Sequence, residues 1–198
     1  KLVNEVLKTG RLTYGPMTRK FEEEFARLHD FKYAIFTNSG TSALQVALHY
    51  LKDKYGWKDG DEVLVPAVTF VATVNVVLQN RLKPVLVDVG MDFNINTDLI
   101  EEKITPKTRA IMPVDLLGLP CQIDKIRKIA KKYNLKIVED SCETMFVKAG
   151  GKPVGSKADI ACYSSYLAHI ISTGVGGFIC TNDRKAEETM RSMIWHGR

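Results

Sequence analysis

The chain has 198 residues, of which 45% are hydrophobic and 26% charged, a composition typical of a globular protein of one sizeable domain. No run of about 18 uncharged apolar residues occurs, so a membrane-spanning helix is not predicted. The formal charge is +5 and the basic residues are spread along the chain. This pattern predicts no nucleic-acid site, but a mild positive potential would suit an anionic substrate.

The four cysteines give no sign of a metal centre or a redox motif. They form no C-x-x-C pair and show no metal-site spacing with histidine. Cys162 and Cys180 lie in apolar runs and are expected to be reduced core residues. Since no secretory leader is recognisable either, we expect a cytoplasmic protein without a metal site.

Hydrophobic periodicity and turn residues predict helices that alternate with short strands. In the second helix, Phe21, Phe25 and Leu28 are expected on the buried face. In chain order the sequence predicts helix 1–7, helix 17–29, strand 33–37, helix 41–55, strand 62–66, helix 69–80, strand 84–89, helix 97–104, strand 109–114, helix 123–133, strand 136–139, strands 160–164 and 177–181, and helix 184–194.

This alternation is typical of βαβ units. It predicts an α/β fold with three layers, α/β/α, around a mainly parallel mixed sheet. Ligands of such sheets bind at the carboxyl ends of the strands. A Rossmann dehydrogenase fits less well, because no G-x-G-x-x-G follows the first strand.

The segment Asn38–Leu44 has the composition of a phosphate-binding turn. A predicted strand ends there, a turn of small residues follows, and a helix begins. Free N–H groups at a helix start, with the helix dipole behind them, bind anions. Plain helix capping by Ser39 or Thr41 explains the same residues, so the alternatives stay open at this point.

Three further segments are weak signals when each is taken alone. Asp140 ends an apolar strand, where it could hold a cationic ring nitrogen or simply cap a helix. Phe70 follows another strand and could stack on a flat ring or lie in the core. The segment from Ser164 to Gly177 is rich in glycine, which indicates a tight turn or a backbone close to a ligand.

The order and spacing of these segments resemble the DegT/DnrJ/EryC1/StrS family of sugar aminotransferases and dehydratases, within the fold-type I enzymes that use pyridoxal phosphate. The resemblance covers nearly the whole chain. It implies a cofactor-binding large domain over residues 1–198 and a smaller C-terminal domain that this chain lacks. The matching segments are Gly10–Pro16, Asn38–Leu44, Val65–Thr73, Pro84–Asp88, Leu117–Pro120, Ile137–Asp140, Ser164–Gly177 and His196–Arg198.

The resemblance implies a role for each matching residue. The cofactor phosphate would be held by the Ser164 hydroxyl and by the backbone around Gly40, Thr41 and Ser42. Phe70 would stack on the pyridine ring, and Asp140 would pair with the ring nitrogen. Glu143 would lie near the phenolic oxygen of the cofactor, at a position where the family commonly has Gln or His.

One position departs from the family's aminotransferases and changes the expected chemistry. They carry a lysine five residues after the phosphate-binding serine, whereas this chain has His169 and no lysine between Lys157 and Lys185. Imidazole forms no stable Schiff base but is a good general base near neutral pH. The same exchange is known in the family's 3-dehydratases, which use pyridoxamine phosphate. The resemblance therefore implies C3 dehydration of a nucleotide-linked 4-keto-6-deoxy sugar, with His169 as the base.

Two other functions remain open from the sequence. One is a sugar aminotransferase whose lysine has been replaced, and the other is a non-catalytic homologue that binds a nucleotide-sugar. Val175 stands where the dehydratases have an acid, and Asp115 stands where the family often has His. The resemblance also implies a homodimer whose subunits share their active sites.

Overall fold

The computed structural model describes residues 1–197, so Arg198 of the His196–Arg198 segment lies outside the described residues. Six α-helices and nine strands follow one another nearly as the sequence predicts. The helices are α1 (Leu2–Thr9), α2 (Pro16–Leu28), α3 (Gly40–Tyr55), α4 (Val71–Gln79), α5 (Ile123–Tyr133) and α6 (Arg184–Ile194). The strands are β1 (Tyr33–Thr37), β2 (Glu62–Pro66), β3 (Lys83–Val87), β4 (Thr108–Ile111), β5 (Lys136–Asp140), β6 (Lys148–Ala149), β7 (Lys152–Pro153), β8 (Ile160–Ser164) and β9 (Gly177–Thr181).

Seven strands form one mixed sheet in the order β1-β9-β8-β5-β4-β2-β3. Only β9 runs in the opposite direction to the other six strands of this sheet, so the predicted mainly parallel sheet is confirmed. The remaining pair, β6 and β7, is a small hairpin that the sequence analysis did not predict. The carboxyl ends of β2, β4, β5 and β8 meet at one edge of the large sheet, which is where a ligand is expected.

Helices cover both faces of the sheet, because the central strands are buried on both sides. On one face α3, α4 and α6 pack against side chains such as Val63, Val65 and Val138. On the other face α5 packs against Leu64 and Ile137, and α2 packs against the far end of the sheet. The three-layer α/β/α prediction is therefore confirmed.

Two local predictions are wrong. Residues 97–104 do not form an α-helix but two short 3₁₀ turns, Thr97–Leu99 and Glu101–Lys103. Leu28 is 47% exposed, because the buried face of α2 continues through His29 instead. Among residues 1–197, no helix is both long and apolar enough to cross a membrane.

Candidate active site

A cavity of about 370 Å³ opens at the carboxyl ends of the parallel strands, and we call it the cofactor cavity. It lies between the start of α3, the start of α4 and the segments that follow β5 and β8. Of the sequence-predicted site residues, all but Ser42 line it: Gly40, Thr41, Phe70, Asp140, Glu143, Ser164 and His169.

The start of α3 presents free backbone donors to the cofactor cavity. Ser39 caps the helix with extended backbone, and its side chain accepts the N–H of Ser42 at 3.1 Å. Its carbonyl accepts the N–H of Ala43 at 3.1 Å. Among residues 1–197, the N–H groups of Gly40 and Thr41 have no acceptor. Because the helix dipole places partial positive charge here, this end suits a phosphate, and Ser42 serves to hold Ser39 in place.

Gly40 is required because the start of α3 lies against the ends of two strands. A Cβ atom at Gly40 would lie 2.6 Å from the Sγ of Cys142 and 2.9 Å from the Cβ of Ser164. No larger residue fits without moving one of these chains. The contact brings Ser164 against the start of α3, and its hydroxyl accepts the N–H of Tyr166 at 3.3 Å, so its own proton is free to donate.

Asp140 is a buried carboxyl group at the end of β5, and its side chain is oriented by two donors. The hydroxyl of Thr73 donates to Oδ2 at 2.8 Å, and the N–H of Cys142 donates to Oδ1 at 3.2 Å. Burial raises the pKa of Asp140, because it disfavours the ionised form of the carboxyl group. A cationic ring nitrogen entering the cavity would supply the missing charge.

Phe70 provides an exposed aromatic surface on the cavity. It precedes the first residue of α4 in extended backbone and is 65% exposed, so it is not a core residue. Cys142 lines the same cavity from the segment after β5. A flat aromatic ligand in the cavity would cover a phenyl surface that is otherwise in water.

Replacing Phe70 by alanine should weaken binding of pyridoxal phosphate about 2- to 12-fold, since an aromatic stacking contact contributes roughly 0.5–1.5 kcal/mol. Thermal stability should stay unchanged, because the side chain is exposed. Fluorescence titration with the cofactor would measure the affinity. The matched control is Phe93→Ala, since Phe93 is 58% exposed and does not line the cavity. Equal losses in both variants would contradict a stacking role.

His169 lies in a loop whose base is closed by backbone bonds. The N–H of Ser165 donates to Gly176 at 3.0 Å, and the N–H of Thr173 donates to Ser165 at 3.0 Å. Within this loop the half-buried His169 ring packs edge-on against Tyr166, at 6.2 Å between centroids. No lysine among residues 1–197 lines the cofactor cavity.

Glu143 is a second carboxyl group in the lining of the cavity, beside Asp140. It is half-buried, and its Oε2 accepts the N–H of Leu117 at 3.0 Å. Its carboxylate therefore ties the segment after β5 to the segment after β4. The other carboxylate oxygen is left for a ligand or water.

These groups fit a flat, anionic cofactor whose ring nitrogen is cationic. The free N–H groups and the Ser164 hydroxyl suit its phosphate, Phe70 suits its ring, and Asp140 suits its nitrogen. Together, the fold and the cavity are those of the fold-type I enzymes that depend on pyridoxal phosphate. The model of the DegT/DnrJ/EryC1/StrS aminotransferase family matches residues 1–198. The chain belongs to this family, as the sequence motifs predict.

Three similar proteins give the range of relatives. GDP-perosamine synthase of Caulobacter vibrioides is 41% identical over 184 residues, which are 92% of this chain and 48% of that protein. The structure of an aminotransferase from Psychrobacter cryohalolentis is 37% identical, with a TM-score of 0.94 over 99% of this chain and 50% of that one. The structure of an Escherichia coli GDP-4-keto-6-deoxy-D-mannose-3-dehydratase with bound hydrated pyridoxal phosphate is 32% identical, with a TM-score of 0.88 over 98% of this chain and 49% of that one. The chain thus spans about half the length of the curated relatives it matches.

Sequence reasoning missed two residues that shape the cavity. Thr73, which is fully buried, orients Asp140 from a position 67 residues earlier in the chain. Its signal in the sequence is a single hydroxyl within the otherwise apolar stretch of α4. Cys142 follows Asp140 by two residues in a turn, where its N–H donates to the Asp140 side chain.

Proposed function

We propose that this chain is the cofactor-binding part of a pyridoxamine-phosphate-dependent enzyme that removes the C3 hydroxyl of a nucleotide-linked 4-keto-6-deoxy sugar. The observation that carries the proposal is His169 in the cofactor cavity, with no lysine among the described residues that line it. A lysine is needed to hold the aldehyde form of the cofactor covalently, whereas an imidazole can only move protons.

When bound, pyridoxamine phosphate supplies an amine for the sugar ketone and a ring that withdraws electrons. The residues of the chain hold the cofactor in place and move the protons. Asp140 holds the proton on the ring nitrogen, and Phe70 and the start of α3 fix the ring and the phosphate. One nitrogen of the His169 imidazole takes up a proton and passes it to the departing C3 hydroxyl, which leaves as water.

The assignment of a nucleotide-sugar substrate has separate support. Two of the similar proteins described above carry the names of GDP-linked sugars. The chain carries a net charge of +5, which favours an anionic substrate. Exposed apolar side chains beside the cavity support a homodimeric partner, since Leu167 is 71% and Ile170 54% exposed.

Product analysis tests this function. The purified protein with pyridoxamine phosphate would be incubated with GDP-4-keto-6-deoxymannose, and the sugar would be examined by mass spectrometry and NMR. Loss of the C3 hydroxyl is the expected result. A 4-amino sugar that keeps this hydroxyl would instead establish an aminotransferase. Cofactor binding with no change to any nucleotide-linked keto-sugar would establish a non-catalytic homologue.

Replacing Glu143 by glutamine should tighten cofactor binding roughly fivefold, an effect of about 1 kcal/mol for removing one charge near an anion. The glutamine oxygen still accepts the N–H of Leu117, so the segment keeps its bond. Equilibrium dialysis with pyridoxamine phosphate at low and high salt would measure the effect, which should shrink at high salt. Weaker binding in Glu143→Gln would mean that the carboxylate itself contacts the cofactor favourably.

A further inference from the structure

Asp115 joins the segment after β4 to the segment after β5. Its side chain is fully buried and accepts two bonds, from the N–H of Cys121 to Oδ1 at 2.8 Å and from the hydroxyl of Ser141 to Oδ2 at 2.6 Å. Its backbone N–H donates to the carbonyl of Asp140 at 3.0 Å, and its carbonyl accepts the hydroxyl of Thr144 at 2.7 Å. Asp115 therefore fixes the strand end that carries Asp140.

Glu139 lies directly behind this junction. Its side chain is 1% exposed, and Oε1 accepts the N–H of Gly155 at 2.9 Å. Oε2 is buried and has no partner among residues 1–197. One oxygen of Glu139, one of Asp115 and the sulfur of Cys121 lie within 4.8 Å of one another. Two carboxylates this close in an interior cannot both be ionised.

The groups that face the carboxyl pair do not neutralise it. The Tyr163 hydroxyl, on β8, donates to the carbonyl of Val154, and the Cys121 thiol carries no charge. Two lysines line the small cavity beside Glu139, and both ammonium groups have other partners: Lys157 pairs with Asp124, and Lys152 pairs with Asp30. A single proton held between the two carboxyl groups would remove one of their two charges and leave the other group ionised.

The hydrogen bonds decide which carboxyl group holds the proton. Asp115 accepts two donors, which favours its ionised form, whereas Glu139 accepts one. Burial first, and the Asp115 charge second, raise the pKa of Glu139 well above its ordinary value.

We propose that Glu139 is a protonated acid at neutral pH whose Oε2–H donates to the Asp115 carboxylate, and that this pair positions Asp140 for the cofactor. The second half of the proposal rests on the proposed function. Neighbouring residues of a strand face opposite sides of the sheet, so Glu139 supports the strand end from the side away from the cofactor cavity. Glu139 is thus a positioning residue and not a catalytic one.

Infrared spectroscopy of the protein at pH 8, with and without pyridoxal phosphate, tests the protonation state. We expect a carbonyl band of a protonated carboxyl group that shifts in D₂O and disappears in Glu139→Gln. The same band must remain in Asp140→Asn, which controls for the other buried acid. A spectrum of the parent without the band, or a band that survives in Glu139→Gln, would overturn the proposal. A stoichiometric metal ion that is lost in Cys121→Ser would overturn it too.

Two further measurements distinguish a positioning role of the Glu139–Asp115 pair from a general contribution to protein stability. The amide of Glu139→Gln can still donate to Asp115, so its cofactor affinity should stay within about twofold of the parent, whereas Glu139→Leu should lose about tenfold or more. Equal affinity in both variants would refute the positioning role. If the infrared band is found but the parent binds no cofactor, the proposed function fails and the protonated pair stands.

The pair also has a signature in the pH dependence of folding. Because the pKa of Glu139 is raised in the native state, the native state holds an extra proton above the unfolded pKa of about 4.3. Stability should therefore fall as pH rises above that value, by up to about tenfold in the folding equilibrium constant per pH unit relative to Glu139→Gln. Parallel curves for parent and variant would contradict the proposal.

Discussion

Replacing His169 by alanine is expected to lower turnover of the keto-sugar nucleotide about 10²- to 10⁴-fold, the usual contribution of a positioned general base. Cofactor affinity should hardly change, because Phe70, Asp140 and the start of α3 remain intact. Steady-state rates and a cofactor titration on the same preparation would measure both quantities. Exogenous imidazole should restore part of the activity, since the cavity left by the side chain opens to solvent.

The matched control for His169 is its neighbour Ile170. Its side chain is 54% exposed in the same loop and does not line the cavity, so Ile170→Ala should retain near-normal turnover. Turnover in His169→Ala within a few-fold of the parent would remove His169 from the mechanism.

His169→Lys tests the same inference from the other side. Borohydride should fix pyridoxal phosphate covalently to this variant, as mass spectrometry would reveal, and should not fix it to the parent. A reducible adduct in the parent would mean that another lysine reaches the cofactor. Transamination gained by the variant would favour an aminotransferase whose lysine has been lost.

Strands were the easier part of the fold to predict, because buried central strands are continuous apolar runs bounded by turn residues. The predicted helix over 97–104 shows where local pattern fails. Pro106 disfavours helical backbone at Thr105, and the Asn96 side chain accepts the N–H of Asp98 to begin a 3₁₀ turn. The residues between these two signals form two short 3₁₀ turns instead.

The buried face of α2 shows a second limit. Polar residues occupy part of it, since Glu22 is 4% and His29 1% exposed. Glu22 accepts hydrogen bonds from Arg191 and from the N–H of Phe36, and the Nε2 of His29 accepts the N–H of Phe146. Because these partners come from other parts of the fold, hydrophobic periodicity cannot detect them. It therefore assigns the apolar Leu28, and not Glu22 or His29, to the buried face.

The part of the candidate site that lies at the strand ends could be predicted, because the strand ends themselves could be. Phe70, Asp140 and Ser164 each lie at or after a strand end, so parallel topology alone brings them to one edge. The depth of the cavity and the contacts of Asp140 were not predictable. They depend on Thr73 and on the close approach of Gly40 to Ser164, which are contacts between distant segments.

Asp140→Asn should affect cofactor binding and protein stability in opposite directions. Cofactor affinity should fall roughly 10- to 150-fold, because a hydrogen bond between charged groups contributes about 1.5–3 kcal/mol. The cofactor-free protein should be as stable as the parent or more so, since a buried carboxyl group without a cationic partner is lost. The asparagine can keep both local bonds, accepting the N–H of Cys142 and donating to Thr73, whose hydroxyl then donates to Thr69.

The pH dependence gives this prediction its sign. Burial raises the pKa of Asp140, so the cofactor-free native state binds an extra proton above the unfolded pKa, and its stability falls as pH rises through that window. The stability of Asp140→Asn does not fall in this way. The variant should therefore gain stability relative to the parent as pH rises, until the pH passes the pKa of Asp140 in the native state. Thermal unfolding from pH 5 to pH 9, with and without pyridoxal phosphate, would measure both effects, with the exposed strand-end variant Asp88→Asn as control. A variant that is less stable without cofactor but binds it normally would show that Asp140 is a structural residue and that the ring nitrogen has another partner.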